Sequence, residues 1–106
     1  MGTVVRGCRV VTGDLFGSGI QISDSFGSTV IGNDLLGHTH LLSSIQIIDA
    51  DNVIVVNNRM MNAISGIRCF DNGGQSPAPS TGVYRDNVTI DVLYPYDAGT
   101  DVGNNH

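Results

Sequence analysis

The chain has 106 residues, a formal charge of −5 and 41% hydrophobic residues, and its charges are of two kinds only: ten Asp and five Arg, with no Glu, Lys or Trp. Glu and Lys are the usual surface residues of helices, whereas Gly, Asn and Asp belong to turns, so a helical bundle or coiled coil is excluded and a strand-built core is expected. Five scattered Arg against ten Asp make no basic stripe, which disfavours nucleic-acid binding.

No apolar run reaches the roughly 18 residues that span a bilayer, and the stretch from Met1 to Val11 carries Arg6 and Arg9 where a signal peptide needs an unbroken apolar segment. No membrane span is expected. Cys8 and Cys69 have no metal-ligand spacing and read as buried free thiols, with a disulfide as the lesser alternative.

Laid on itself with an offset of 25, the chain brings Gly19-Ile20-Gln21-Ile22-Ser23-Asp24 over Ser44-Ile45-Gln46-Ile47-Ile48-Asp49, with four of six positions identical. The same offset aligns Cys8, Asn33 and Asn58, then Val5, Val30 and Val55, then Val10, Leu35 and Met60. Further on, Gly66-Ile67-Arg68-Cys69-Phe70-Asp71 follows Ser44 by 22, and Asn87-Val88-Thr89-Ile90 echoes Asn52-Val53-Ile54-Val55 after 35. Each period holds two short Val/Ile-rich strands bounded by Gly, Asn, Asp or Ser, with no 3.6-residue periodicity. Repeats of this length cannot bury their apolar faces singly and therefore stack. A leucine-rich frame is missing and a propeller blade would need four strands per period, which leaves a β-solenoid.

The runs Gly19-Ile20-Gln21-Ile22-Ser23-Asp24-Ser25 and Ser28-Thr29-Val30-Ile31-Gly32-Asn33 resemble the repeat of right-handed parallel β-helix proteins, the pectate-lyase-like superfamily. The resemblance covers roughly residues 3 to 94, about four coils, and implies an all-β fold in one domain or fragment over residues 1–106. It speaks for fold more than for function, because such folds host polysaccharide lyases, hydrolases and epimerases as well as bacteriophage tailspikes and appendages. In that frame Val5, Val30 and Val55 form one internal ladder, Ile20 and Ile45 a second, and Ile22 and Ile47 a third. Asn33 and Asn58 fall at a bend and form an internal Asn ladder, with Cys8 at the same bend one coil earlier.

Several residues are candidates for chemistry. The insertion at 71–87 is rich in Gly, Pro and Ser, cannot continue a stacked strand, and ends in Tyr84-Arg85-Asp86, an aromatic beside an ion pair suited to stacking on a sugar; a plain connector or subunit contact is the alternative. Asp24 and Asp49 recur about 5 Å apart on successive coils, with Asp51 and Asp71 near the same column. They suit turn capping, a hard cation such as calcium, or acid and base roles in glycoside cleavage. His38 and His40 have the spacing for metal binding or proton transfer, or are simply solvated. Arg59 and Arg68 can pair with Asp34, with Asp51 or with an acidic polysaccharide. Lyases and epimerases of uronates need a base and a group neutralising the carboxylate, and with no Lys only Arg and His remain to serve; an enzyme of the resembled superfamily would use Asp49, Asp51 or Asp71 with Arg68 and His38 or His40. The Gly-His-Gly and Asn-Thr-Asp signatures of polygalacturonase-type hydrolases are absent.

The tail 95–106 lacks apolar periodicity and is expected to be loose or capping. The stack has no amphipathic cap, so a piece of a longer β-helix or a self-associating subunit, a trimer by the resemblance, is expected. Two functions from different classes follow. One is a structural, polysaccharide-binding segment of a phage tailspike, appendage or cell-surface protein, placed on a virion or outside the cell. The other is a lyase, C5-epimerase or glycoside hydrolase acting on acidic glycans. No cofactor other than calcium is implied.

Overall fold

The computed structural model describes residues 2–11, 18–70 and 82–106, with the backbone alone at 38–42. The described residues form strands and no helix: β1 (Val4–Arg6), β2 (Arg9–Val11), β3 (Ser18–Ser23), β4 (Thr29–Ile31), β5 (Asp34–Ile48), β6 (Val53–Val56), β7 (Arg59–Phe70), β8 (Gly82–Arg85), β9 (Val88–Asp97) and β10 (Thr100–Asp101). Among them no helix is long and apolar enough to cross a membrane.

The strands lie in two parallel sheets. One runs β1-β4-β6-β8-β10; the other runs β2-β5-β7-β9, with β3 paired to the second half of β5. The chain passes from one sheet to the other and back, so each circuit lies on the one before. An offset of 25 governs the first circuits, pairing Val5 with Val30, Val30 with Val55 and Ile20 with Ile45. Within β5 and β7 the register changes from Leu36↔Met61 to Leu41↔Ala63, so β5 accommodates three extra residues in a bulge. The offset of 22 then holds, pairing Ile45 with Ile67 and Ile47 with Cys69.

Two expectations are corrected here. The echo at 35 residues is not a pairing, because Val88 lies on Arg59 and Gly82 on Val53, each 29 residues apart. Local similarity of two Asn-Val runs could not fix register, since the whole corner must align. The tail, expected to be loose or capping, is ordered onto the end of the stack, which removes the loose form and leaves the capping one. β9 reaches Asp97, and Thr100 and Asp101 pair with Val83 and Tyr84. Its strands escaped notice because Thr, Asp and Tyr replace the aliphatic residues of earlier circuits.

Alternation along each strand sends every second side chain inward. The inner rows are Val5, Val30, Val55 and Tyr84; Val10, Leu35 and Met60; Ile20, Ile45, Ile67 and Tyr96; and Ile22, Ile47 and Cys69. Val30, Val55, Ile45, Ile47, Met60 and Ile67 are fully buried, each contributing about 2 kcal/mol of apolar burial. At the β10 end the Tyr84 and Tyr96 rings stack with centroids 4.9 Å apart and planes 11° from parallel.

The corners follow one rule. Gly7, Gly32, Asn57, Asp86 and Asn104 all have positive φ, between 55° and 65°, and each stands immediately before Cys8, Asn33, Asn58, Asn87 or Asn105. Gly, Asn and Asp are the residues that enter this left-handed region at least cost. The Asn that follows turns inward. Asn33 donates through Nδ2 to Val5 O, Asn58 to Val30 O, Asn87 to Val55 O and Asn105 to Tyr84 O, at 3.0 to 3.1 Å. Each Asn Oδ1 accepts the backbone N–H of the rung below: Cys8 on Asn33, Asn33 on Asn58, Asn58 on Asn87 and Asn87 on Asn105. The expected Asn ladder is present and has four rungs rather than two. Cys8 occupies the first corner without a carboxamide. Both cysteines are free, but Cys8 is exposed rather than buried, because no circuit covers it on that side.

Candidate functional site

The outward face of the Asn corner carries the best-formed group of charges. Arg9, Asp34, Arg59 and Val88 occupy one row across β2, β5, β7 and β9. Arg59 grips Asp34 with one edge of its planar guanidinium, Nε donating to Oδ1 at 2.9 Å and Nη2 to Oδ2 at 2.8 Å. Arg9 Nε stands 4.0 Å from Oδ2 on the other side. The hydrogen bonds from Arg59 hold the Asp34 carboxyl below its usual range, and the same contact raises the Arg59 guanidinium.

Beside this pair an open recess of about 290 Å³ is lined by Gly32, Asp34, Asn57, Arg59, Asp86 and Val88 among others. Asp86 comes from the next corner, where Asn104 Nδ2 donates to its Oδ1 at 2.8 Å and Arg85 Nη1 lies 3.5 Å from Oδ2. The recess thus offers the paired Asp34 and Arg59 and, beside them, the Asp86 carboxylate held by Asn104 and Arg85. Vicinal hydroxyls match such a set, because each can donate to a carboxylate while accepting from Arg59.

Of the carboxylates expected to do chemistry, Asp24, Asp49 and Asp51 lie at corners. Asp24 and Asp49 have φ of 49° and 48°, and their N–H groups donate to Ile48 O and Phe70 O on the adjoining circuit. Asp51 donates its N–H to Ser25 O, and its Oδ1 accepts the N–H of Asn52. At Asp51 this is the turn-forming role of a short acidic side chain.

Arg68 belongs to another outward row, Gln21-Gln46-Arg68-Asp97. Its Nε lies 3.7 Å from Asp97 Oδ2, and its guanidinium carbon sits 4.5 Å from the centre of the Phe70 ring. His38 and His40 fall in the β5 bulge, and their side chains lie outside the described residues, as does Asp71 with the whole of 71–81. Among the described residues no three His, Cys, Asp or Glu side chains gather closely enough to hold a metal ion.

Tyr84, Arg85 and Asp86 are not the end of a projecting loop. Gly82–Arg85 is a regular strand paired to β6, which places Tyr84 in the inner row at 5% exposure. Its ring is covered by Tyr96, and its hydroxyl donates to Ala98 O at 3.3 Å. The expectation of a sugar platform at Tyr84 is therefore corrected, since a buried ring cannot stack on a ligand. Arg85 and Asp86 point outward and remain beside the recess.

Asp34 was one of three partners open to Arg59 and Arg68, beside Asp51 and an acidic polysaccharide, and the recess was missed. The signal for it was the repeated dipeptide of a left-handed residue and Asn, which also marks Asp86-Asn87 as the corner above Asn57-Asn58. No family model, curated protein or solved structure matches this chain.

Proposed function

We propose that the chain is a right-handed parallel β-helix of about four coils, acting as a structural segment that binds polysaccharide along its side, as in phage tailspikes, appendages or cell-surface proteins. The observation that carries the binding reading is the Arg59–Asp34 double hydrogen bond beside Asp86, opening on the recess. Rigid polar groups at one-coil spacing suit a ligand that is itself a repeating polyol, because little side-chain freedom is lost on contact. The handedness and the tailspike setting come from the sequence resemblance. In this setting the sides of the stack meet copies of the chain in a trimer, or further coils of a longer β-helix.

An enzymatic role draws less support, since Asp49 and Asp51 serve corners and Arg68 is engaged by Asp97 and Phe70. The test is retention of the folded chain on a panel of immobilised neutral and acidic polysaccharides. Retention by at least one polysaccharide that drops at least tenfold on Arg59→Gln and on Asp86→Asn supports the reading. Retention unchanged by both substitutions, or none on any polysaccharide, overturns it.

A further inference from the structure

The sequence has one Asn-X-Ser/Thr triplet, Asn87-Val88-Thr89. Such a triplet is the acceptor of N-linked glycan in secreted proteins, where it stands on the surface because the bulky sugar must lie in water. Here its Asn is a rung of the corner ladder and is fully buried. Asn87 Nδ2 donates to Val55 O, Arg85 O and Asn105 Oδ1, each at 3.0 Å, and its Oδ1 accepts from Asn58 N at 2.9 Å and from Asn58 Nδ2 at 3.1 Å. One departure from the repeat creates the triplet. Thr89 stands in the row Val10-Leu35-Met60-Thr89, where the other circuits carry aliphatic side chains. The corresponding Asn33-Asp34-Leu35 and Asn58-Arg59-Met60 are therefore not acceptors.

We propose that Asn87 is a glycan acceptor in the unfolded chain, and that a glycan there and the folded stack exclude each other. In the transfer, Asn87 Nδ2 attacks the anomeric carbon of a lipid pyrophosphate-linked oligosaccharide. The new N–C bond replaces the bond from that carbon to the pyrophosphate oxygen. The lipid pyrophosphate leaves with the electron pair, and a base of the transferase takes the proton that Nδ2 gives up. The glycosylated nitrogen keeps one hydrogen, whereas the native rung uses both. A side chain with no exposed surface also leaves a sugar no space. Swinging Asn87 outward to make room would take from the buried Asn58 N–H its acceptor and from Val55 O its donor. Once the chain has folded, the same burial shields Asn87 from the transferase, so whichever event comes first decides the outcome. A eukaryotic secretory route, which presents the chain to the transferase unfolded, is thus one to which this sequence is ill suited.

The test directs the 106-residue chain into the secretory pathway of cultured animal cells behind a cleavable leader. Peptide mass spectrometry should find glycan on Asn87. Trypsin should digest the glycosylated chain about tenfold faster, or more, than the same chain without glycan, because cleavage follows the population of open forms. Tunicamycin, which stops synthesis of the lipid-linked oligosaccharide, supplies that unglycosylated chain with its sequence unchanged, and it should be resistant. Thr89→Val removes the triplet and restores an aliphatic residue to the row, so it should also be unglycosylated and resistant. Thr89→Ser keeps the triplet and should be glycosylated and sensitive. A glycosylated chain as resistant as the one from tunicamycin-treated cells overturns the exclusion, and a chain that acquires no glycan overturns the acceptor role. Sensitivity that persists under tunicamycin overturns it too, since the glycan is then not what prevents folding. The tunicamycin arm needs no substitution, so it decides the matter even where Thr89→Val fails to fold.

Discussion

The side-chain carbonyl of Asn58 accepts two hydrogen bonds from Asn33, one from its backbone N–H at 2.9 Å and one from its carboxamide at 3.0 Å. Asn58 in turn donates through its own carboxamide to Val30 O, Val56 O and Asn87 Oδ1. One buried side chain therefore satisfies groups on three circuits, and its loss strands several of them together.

Asn58→Ala should accordingly cost about 3 kcal/mol or more, since each buried group left without a partner costs about 1–3 kcal/mol. Urea unfolding monitored by circular dichroism measures this. The end rung, Asn105, is partly exposed and supports one circuit only, so Asn105→Ala should cost clearly less. Equal losses at the two sites would contradict a ladder that is strongest at its centre.

Tyr84 gives a second contrast. Removing its buried ring in Tyr84→Ala should cost about 3–5 kcal/mol, the range for large aromatic truncations in cores. Tyr84→Phe keeps the stack on Tyr96 and loses only the hydroxyl contact with Ala98 O, so it should cost about 1 kcal/mol. Thermal melts of the two variants decide the matter.

Exposed ion pairs contribute little to folding. Arg59→Gln should leave the urea midpoint essentially unchanged, although it abolishes the double hydrogen bond to Asp34. A large drop in midpoint would show the pair to be structural and would remove it as a binding group.

Alkaline pH should weaken the fold. Burial, with the nearby Asp97 carboxylate adding to it, pushes the Cys69 thiol up from 9.0 to about 11, and burial, with Asp101, pushes the Tyr96 hydroxyl up to about 12. Both are acids whose neutral form the fold prefers. The unfolded chain releases these protons first, so their stabilisation is complete below pH 9 and declines as pH rises through 11. Urea midpoints between pH 8 and 11 should fall, and Cys69→Ala should flatten the first part of that fall.

The two thiols should also differ in reactivity. Cys8 is exposed and Cys69 buried, so a maleimide at neutral pH should label Cys8 in the folded chain and reach Cys69 only after unfolding. Mass spectrometry of the labelled peptides reports which thiol reacted.

Much of the fold was legible in the chain because a strict offset forces identical residue types into rows. Val5, Val30 and Val55, or Ile20 and Ile45, could be paired from their spacing alone. Where the segments between corners change length, the apolar runs no longer mark register, and Val88 could not be set on Arg59 by eye. Tyr84 misled for a related reason. Its surroundings of Gly, Pro and Ser read as a loop, while its true neighbours, Val55 and Tyr96, lie on the circuit below and the strand that follows. Spacing put Asp34 among the possible partners of Arg59 without choosing it over Asp51 or a ligand, and the recess was not readable, because it depends on Asp86 arriving from a longer circuit.

The corner rule also bears on how the chain reaches its fold. Successive rungs are 25, 29 and 18 residues apart from Asn33 to Asn105, so joining neighbouring rungs closes only short loops. Each circuit templates the next, and structure can spread outward from any stable pair of circuits. The middle, where Asn58 is held from both sides, is the natural place for that spread to begin, and amide exchange should slow progressively from both ends toward it.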